Sequence, residues 1–596
     1  MSQSSPARRR FLNQLAIGAG VAVTAAGLGG CDDDDVTVAF THGVASGDPL
    51  ADRVMLWTRA TPSTDASLEI HWEIATDAGF MSRVGSGKLV TSSTRDYTVK
   101  VDAGGLLPGR EYYYRFRHAD VYSATGRTRT LPTGAVSEVK LGVFSCSNYP
   151  AGYFHVYAEA AKRNDLFAVV HLGDYIYEYG MGGYATADAA ALNRVPQPAH
   201  ETVSLADYRA RYAQNRSDPD LRALHARYPF ICVWDDHEVA NDAYLTGAEN
   251  HTAPAEGDYA LRRAAAVTAW YEWLPVREQE AGNPLRIYRS FDFGDLLSLH
   301  MLDTRHIGRD QPLDYADYID AASGAFDAAR FSRDMSDPNR QLLGLAQTQW
   351  LQTRLQNSSA TWQLLGQQIL IGKMYLPSPL LTPSPTNPTV SFAEYGVIAT
   401  AFITYRTLAA QLAAAGQTVN ATNLLAAGMT AAQLAIVNDP AKQAIIAAPS
   451  IPYNLDAWDG YAAARETVFG MARALDKNLV VLSGDTHNAW ANDLRDLSGN
   501  PVGVEFACCS VSSPGLEDYL PGMPPAELSA GLLQLIPTLK YADTARRGYS
   551  VVTLTPTQAR ADWHFVSSVK TASYTASLEK SLATLPGSGN RRLLPV

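Results

Sequence analysis

Residues 168–179, AVVHLGDYIYEY, form a short apolar run that stops at Gly173 and then delivers Asp174, Tyr177 and Glu178. A strand that ends in a Gly-Asp turn presents a carboxylate at the edge of its sheet, where a metal or a substrate reaches it. The same pattern returns along the chain. VKLGVFSCSN ends on Cys146, PFICVWDDHE on Asp235, Asp236 and His237, LLSLHMLDTR on Asp303 and Arg305, and NLVVLSGDTHNAW on Asp485 and His487. Buried-looking runs followed at once by metal-binding residue types predict several strand ends converging on one point. That is the geometry of a multi-metal hydrolase.

Working outward, VKLGVFSC, a helix over 151–163 and LFAVVHLGD make a β-α-β unit, which implies a parallel or mixed core sheet. Residues 200–228 read as helical cover for that sheet, and AAAVTAWYEWLPV and AQTQWLQTRLQNS as further helices, the second feeding the strand TWQLLGQQILI. Upstream, residues 38–134 alternate with period 2 and carry turn residues at regular spacing without a helical stretch. They predict an antiparallel β-sandwich of the fibronectin or immunoglobulin kind. The chain is thus expected to be multidomain: the sandwich, a catalytic domain over 138–596, and within it a helical insertion at about 377–450. That insertion opens on PSPLLTPSPTNP and continues as Ala- and Leu-rich sequence whose apolar spacing suits packing. No repeat of 20 to 50 residues recurs.

The 596 residues, 46% apolar and 18% charged, suffice for two or three domains and describe an ordinary globular protein. A net charge of −11 gives no long-range attraction for a nucleic acid, and no specific nucleic-acid binding is expected. A small phosphorylated substrate would need a local positive centre such as metal ions. Residues 1–31 read as a targeting segment: Arg8, Arg9 and Arg10 precede an Ala- and Gly-rich apolar run that ends in Leu28-Gly29-Gly30-Cys31. The pattern resembles a twin-arginine signal closed by a lipobox, with the apolar run too short to span a membrane. It predicts export by the twin-arginine translocase, a lipid anchor at Cys31, a periplasmic or cell-surface location and an acidic linker over 32–37. Cys232 reads as inert core, and adjacent Cys508 and Cys509 would point to opposite faces of an extended chain. No disulfide framework or zinc spacing is present.

Asp174 and Tyr177 lie close enough to reach one metal if the chain turns between them. A carboxylate can bridge two cations, and a phenolate prefers a hard ion such as Fe(III), to which Cys146 adds a thiolate. Read alone, Tyr177 is as well explained by aromatic packing. VWDDHEVANDAY offers Asp235, Asp236 and Asn241 as oxygen donors for a hard divalent ion, with His237 able to donate to a phosphoryl or leaving oxygen. Asp485 and His487 share one face of an extended chain. A phenolate and a thiolate beside carboxylates match structural zinc poorly and iron beside a harder cation better. Two metals bridged by Asp174 would acidify a bound water and clamp the phosphate for in-line displacement, with Arg305 a bidentate partner for its oxygens. Neither GxSxG nor a P-loop occurs.

FTHGVASGDPLADRVMLWTR, FSCSN, HLGDYIYEY, WDDHEVAND, LDTRHIGRDQ, DAWDGY, VVLSGDTHNAWANDL and GVEF together resemble the PhoD-type alkaline phosphatase/phosphodiesterase family of the calcineurin-like metallophosphoesterases. The likeness runs from about 40 to 569 apart from 377–450. It implies a β-sandwich followed by a four-layer αββα catalytic domain. It also implies an Fe3+ centre with one or two Ca2+, other divalent metals being possible, that hydrolyses phosphate esters outside the cytoplasm. Carried over residue by residue, Cys146, Asp174, Tyr177 and His487 fall on iron ligands, Asp174 bridges to calcium, and Asp485 falls on a calcium ligand. Asp236 stands where related enzymes place an Asn ligand before the catalytic His, which here is His237. Asn241 competes for that role, and Asp235 is a possible additional ligand. Asn488 stands where Ser is common. Two other readings stay open: a phospholipase D-like diesterase acting on membrane phospholipids, and an inactive binding lipoprotein whose site has decayed.

Overall fold

The computed structural model describes residues 36–381 and 390–596, so the targeting segment and Cys31 lie outside the described residues. The first strands are β1 (Val44–Gly47), β2 (Arg53–Arg59), β3 (Leu68–Ala75), β4 (Arg83–Thr91), β5 (Thr98–Gly104), β6 (Glu111–His118) and β7 (Gly126–Arg129). β7, β6, β3 and β4 pair in that order as one antiparallel sheet. Alternation in β3 and β6 turns Leu68, Ile70, Tyr112, Tyr114 and Phe116 to one face, where they meet Val44, Val54, Leu56 and Val99 from β1, β2 and β5.

The second layer of this sandwich is not a separate sheet. β1 pairs in parallel with β10 (Pro229–Cys232), through Pro229↔Ser46 and Phe230↔Gly47. With β8 (Val139–Phe144) and β9 (Ala168–His171) this builds one ten-stranded sheet. Its parallel centre is β8-β9-β10, and beyond β8 it continues antiparallel through residues 547–555, 558–566, 576–584 and 594–595. The boundary drawn in the sequence at 134–138 is therefore crossed by a hydrogen-bonded ladder.

A second, seven-stranded sheet has a parallel centre of β11 (Leu297–Met301), β12 (Trp362–Gly366), β13 (Leu479–Ser483) and β14 (Pro501–Ala507). The apolar side chains of the two sheets share one core, in which Val143, Val169 and Phe230 belong to the same cluster as Leu299, Leu364, Val480 and Phe506. Strands buried on both faces are apolar at most positions, which is why they read as nearly unbroken runs. The helical cover over 200–228 divides in two, Leu205–Ser217 and Pro219–Arg227. Asp218 ends the first helix and caps the second, and Pro219 at the first helical position suits a start.

Residues 375–377 and 450–452 pair as a short antiparallel ribbon at the base of the inserted segment. Between them, among the described residues, lie α1 (Phe392–Ala414) and three shorter helices. α1 packs in part against α2 (Pro525–Leu535).

Asp48, fully buried at the end of β1, accepts 2.9 and 2.6 Å hydrogen bonds from Arg289, whose guanidinium also donates to the Cys232 carbonyl at 2.7 Å. The pair fastens the N-terminal strands to the catalytic sheets. Removing one partner strands a buried charge, so Asp48→Ala is expected to lower the unfolding free energy by about 3–5 kcal/mol. Urea unfolding checks this, and a loss below about 1 kcal/mol would mean that the joint contributes nothing.

Candidate metal centre

The parallel strands of both sheets end on the same side, and their first loop residues meet. β8 ends before Cys146, β9 before Asp174, β10 before Asp235 and Asp236, β11 before Arg305, and β13 before Asp485 and His487. The Cys146 N–H donates to the Gly173 carbonyl at 3.2 Å, and the Ser147 N–H to the Asp174 carbonyl at 2.7 Å. Gly173 has φ +113°, and a Cβ there would lie 2.4 Å from the Asp235 Cβ, so only glycine lets these two strand ends touch. Cys146, Asp174, Asp485 and His487 all sit in the left-handed region, at φ 62°, 55°, 63° and 64°. Such residues cost of order 1–3 kcal/mol each and gather at functional sites.

Ligand-type atoms of Cys146, Asp174 and His487 lie within 4.8 Å of one another, as do those of Asp174, Asp236 and His237, and those of Asp235, Asp236 and Asp485. Asp174 joins the first group to the second, and Asp236 the second to the third. Tyr177 belongs to the same place: its hydroxyl lies 3.0 Å from Asp174 Oδ2 and 3.1 Å from His487 Nε2, and it accepts from Ser513 Oγ at 2.7 Å. His487 Nδ1 stands 2.7 Å from the Pro514 carbonyl, which can only accept, so that nitrogen carries the proton and Nε2 presents its lone pair to the site. Burial and the charge of His237 push the His487 pKa down to about 3, so the ring is neutral, the form that binds metal.

His237 is arranged the opposite way. Its Nδ1 lies 2.7 Å from Glu178 Oε2, and its ring packs against Tyr177 with centroids 4.2 Å apart and the planes tilted by 33°. Burial opposes its charge, but Glu178, Asp236 and Asp174 outweigh it and raise the pKa well above the usual imidazole value. Glu178 is itself fixed by the Asn241 N–H and the Asn250 side chain, both at 2.8 Å.

The carboxylates outnumber their counter-ions. Burial, with mutual repulsion, raises Asp174 and Asp485 well above the carboxylate range and brings Asp235 to about 7 and Asp242 to about 8. Against the cost of burial, Arg305 and His237 hold Asp236 below its ordinary value. Asp174 Oδ1 is buried with no hydrogen-bond partner. An unpartnered carboxylate oxygen amid sulfur, phenol, imidazole and further carboxylates fits cations, and no other group in the set supplies the missing positive charge.

Two sequence expectations need correction. Arg305 was expected to offer its guanidinium to phosphate. Instead it is fully buried, with Nε donating to Asp235 at 2.5 Å, Nη1 to Asp456 at 2.7 Å and Nη2 to Asp485 at 3.1 Å. Charged oxygens of the fold already occupy the fork, so it acts as their counter-ion. Asn241 turns its side chain away, donating to Glu249 at 2.9 Å, whereas Asp236 faces the site.

Sequence reasoning also assigned no role to Glu178, Glu238 or Asp456. Glu238 accepts from the N–H groups of Asp174, Tyr175 and Asp235 and so ties two strand ends together. Each stands in a motif already singled out, DYIYEY, WDDHE and DAWDGY, which was the available signal.

Two stacked sheets with parallel strand ends gathered around a thiol, a phenol, imidazoles and excess carboxylates make a site able to hold metal, and the relatives of the chain make it a phosphoric ester hydrolase. The chain belongs to the PhoD-like phosphatase family, whose model matches residues 141–563, while the model of the PhoD-like phosphatase N-terminal domain matches residues 25–132. Alkaline phosphatase D of Bacillus subtilis (strain 168) is 33% identical over 540 residues, 88% of this chain and 77% of that protein. A solved structure described as PhoD superposes with a TM-score of 0.71 at 31% identity, covering 94% of this chain and 92% of the other.

The raised carboxyl groups make a stability prediction. A group whose folded pKa exceeds its unfolded value stabilises the fold fully below the unfolded value, near 4, and loses that contribution as pH rises through the folded one. Protein stripped of metal by chelation should therefore lose melting temperature between pH 5 and pH 8.5, across the Asp235 and Asp242 values. Metal-loaded protein should not. Differential scanning calorimetry of both forms checks this, and parallel pH curves would refute it.

Proposed function

We propose that the protein is an extracytoplasmic alkaline phosphatase/phosphodiesterase working at an iron–calcium centre. The observation that carries the reading is the junction at Asp174, where Cys146, Tyr177 and His487 meet on one side and Asp236 and His237 on the other. The first set mixes thiolate, phenolate and imidazole, which suits Fe3+. The second, continued by Asp235 and Asp485, is rich in hard oxygen donors and suits Ca2+. The identity to alkaline phosphatase D supports the same chemistry. We read the two packed sheets and the helices around them as the four-layer αββα arrangement, preceded by the sandwich.

When bound, the cations supply an acidified water and a clamp for phosphate oxygens. The chain's own residues do the rest. His237, kept protonated by Glu178, holds a proton on the ring nitrogen not engaged by that carboxylate and can deliver it to the leaving oxygen. Packing against Tyr177 and the Glu178 contact fix the plane of the ring. Arg305 holds Asp235, Asp456 and Asp485 in place, and Glu238 fixes the Asp174 and Asp235 backbones.

Elemental analysis of the native protein with turnover of p-nitrophenyl phosphate and bis-p-nitrophenyl phosphate tests the reading. Iron with calcium, and hydrolysis of at least one ester, are expected. Active enzyme without iron would remove the metal assignment. His237→Ala should lose about 100-fold in kcat with metal content unchanged. Glu178→Gln should shift the alkaline limb of the pH profile downward, because the carboxylate that raises the His237 pKa is gone.

Export by the twin-arginine route and anchoring at Cys31 complete the proposal, supported by the sequence pattern alone. Changing Arg8 and Arg9 together to Lys should leave precursor in the cytoplasm, while Cys31→Ala should be exported without lipid labelling. Normal export of the double-Lys form would refute the route.

A further inference from the structure

A cavity of about 320 Å³ opens beside the metal centre, walled by Leu376, Leu380, Phe392, Leu528, Leu532 and Ile536. These residues come from the N-terminal stem of the inserted segment, from the start of α1 and from α2, with Ile536 just past its end. Packing leaves few voids larger than a water, and this volume lies in the range of ligand pockets. Its inner wall belongs to the site. Trp490 donates to Thr486 Oγ1 at 2.8 Å, between Asp485 and His487. Tyr519 lies beside Tyr184, whose hydroxyl lies 3.1 Å from His487 Nδ1.

Tyr453 lines this cavity and also a second, polar one of about 380 Å³ that contains Asp242 and Asp456. Asp242 donates its N–H to Asp236, and Asp456 pairs with Arg305. A polar and an apolar cavity thus adjoin at Tyr453, each lined by residues one hydrogen bond away from residues of the metal centre or their neighbours in the chain. A phosphomonoester has one organic arm and would leave one cavity unused, whereas a diester has two.

A third cavity of about 590 Å³, between α1 and α2, adjoins the apolar one at Phe392; Tyr395, Ile403, Met523 and Leu535 give it apolar wall beside the polar Arg406 and Glu527. Apolar wall on both sides of Phe392 favours an extended aliphatic chain over a compact aromatic group.

We propose that the cavity bounded by Leu380, Phe392, Leu520 and Leu532 binds the aliphatic arm of a phosphodiester substrate. This deepens the phosphoesterase reading and rests on it. Leu520 lines the same cavity and is only half-buried, so it tolerates substitution better than the core leucines.

The test compares octyl 4-nitrophenyl phosphate with methyl 4-nitrophenyl phosphate on the metal-loaded full chain. Each buried methylene is worth about fourfold in binding, so three or four of them predict a kcat/KM ratio of about 100 in favour of the octyl ester. Leu520→Trp, which fills the chamber, and Leu520→Asn, which makes it polar, should both bring the ratio below about 10. A ratio near one in the wild type, or a high ratio untouched by both variants, would overturn the proposal.

Calorimetric binding of octylphosphonate against methylphosphonate decides the cavity separately from turnover. If neither ester is hydrolysed, the phosphoesterase reading fails. A large octyl preference in binding would still support the apolar subsite, and equal affinities would overturn it.

Discussion

Everything at the functional end of this protein depends on the cost of burying carboxylates. Asp235, Asp236, Asp456 and Asp485 converge on one guanidinium, Arg305, which is wholly enclosed and has no donor nitrogen without a carboxylate partner. Even with Arg309 on Asp456 and a charged His237 beside Asp236, the set stays short of positive charge, and Asp174 keeps a buried, unpartnered oxygen. An isolated charge in such surroundings would neutralise itself by taking a proton, which is the direction the buried carboxyl groups take. A site built this way is incomplete as protein alone. In the proposed reading it is a negative vessel whose sign bound cations would reverse, so that a phosphate ester could approach.

The strand ends are held against strain to make that vessel. Four ligand-type residues occupy the left-handed region, where the backbone turns sharply enough to bring a side chain off the end of a buried strand into the gap between two sheets. Such conformations persist only where the surroundings over-determine them. Here the surroundings are specific: Gly173 lets β9 approach β10, Glu238 accepts the N–H groups of both loops, and the Cys146 and Ser147 N–H groups bond across to the β9 loop. Packing of the two sheets supplies the stability, and the loops consume part of it in pre-organisation.

What could be read from the sequence follows from the same physics. Strands buried on both faces are apolar at most positions, so VKLGVF, AVVH and LVVLS announce themselves, and the residue types just after them stand out against that background. Cys146, Asp174, Tyr177, Asp236, Asp485 and His487 do meet where the runs end. Partners chosen across long sequence distances were not legible. Arg305 next to a strand end looks the same whether its fork faces a phosphate or three carboxylates, and only the fold brings Asp456 to it. The merging of the sandwich with the catalytic sheet was hidden because β1 is VASG, too short and too small-chained to advertise a parallel neighbour. Glu178 and Glu238 were hidden by their own company, since a carboxylate that orients a ligand has no composition that sets it apart from a ligand.

The order in which the site can be assembled follows from its topology. Its ligands come from loops that follow β8, β9, β10 and β13, two sheets apart in space and reaching from Cys146 to His487 in the chain. Cys146, Asp174 and His487 become neighbours only after both parallel sheets have formed and packed. Binding free energy released at that moment is therefore folding free energy, and the metal-loaded state is reached through a folded chain rather than before it. A polypeptide threaded unfolded across a membrane would have to find its metals on the far side. The paired arginines at 8 and 9 match a route that carries folded protein, so the export proposed above and the proposed centre are compatible: a chain exported that way would fold and load before it leaves.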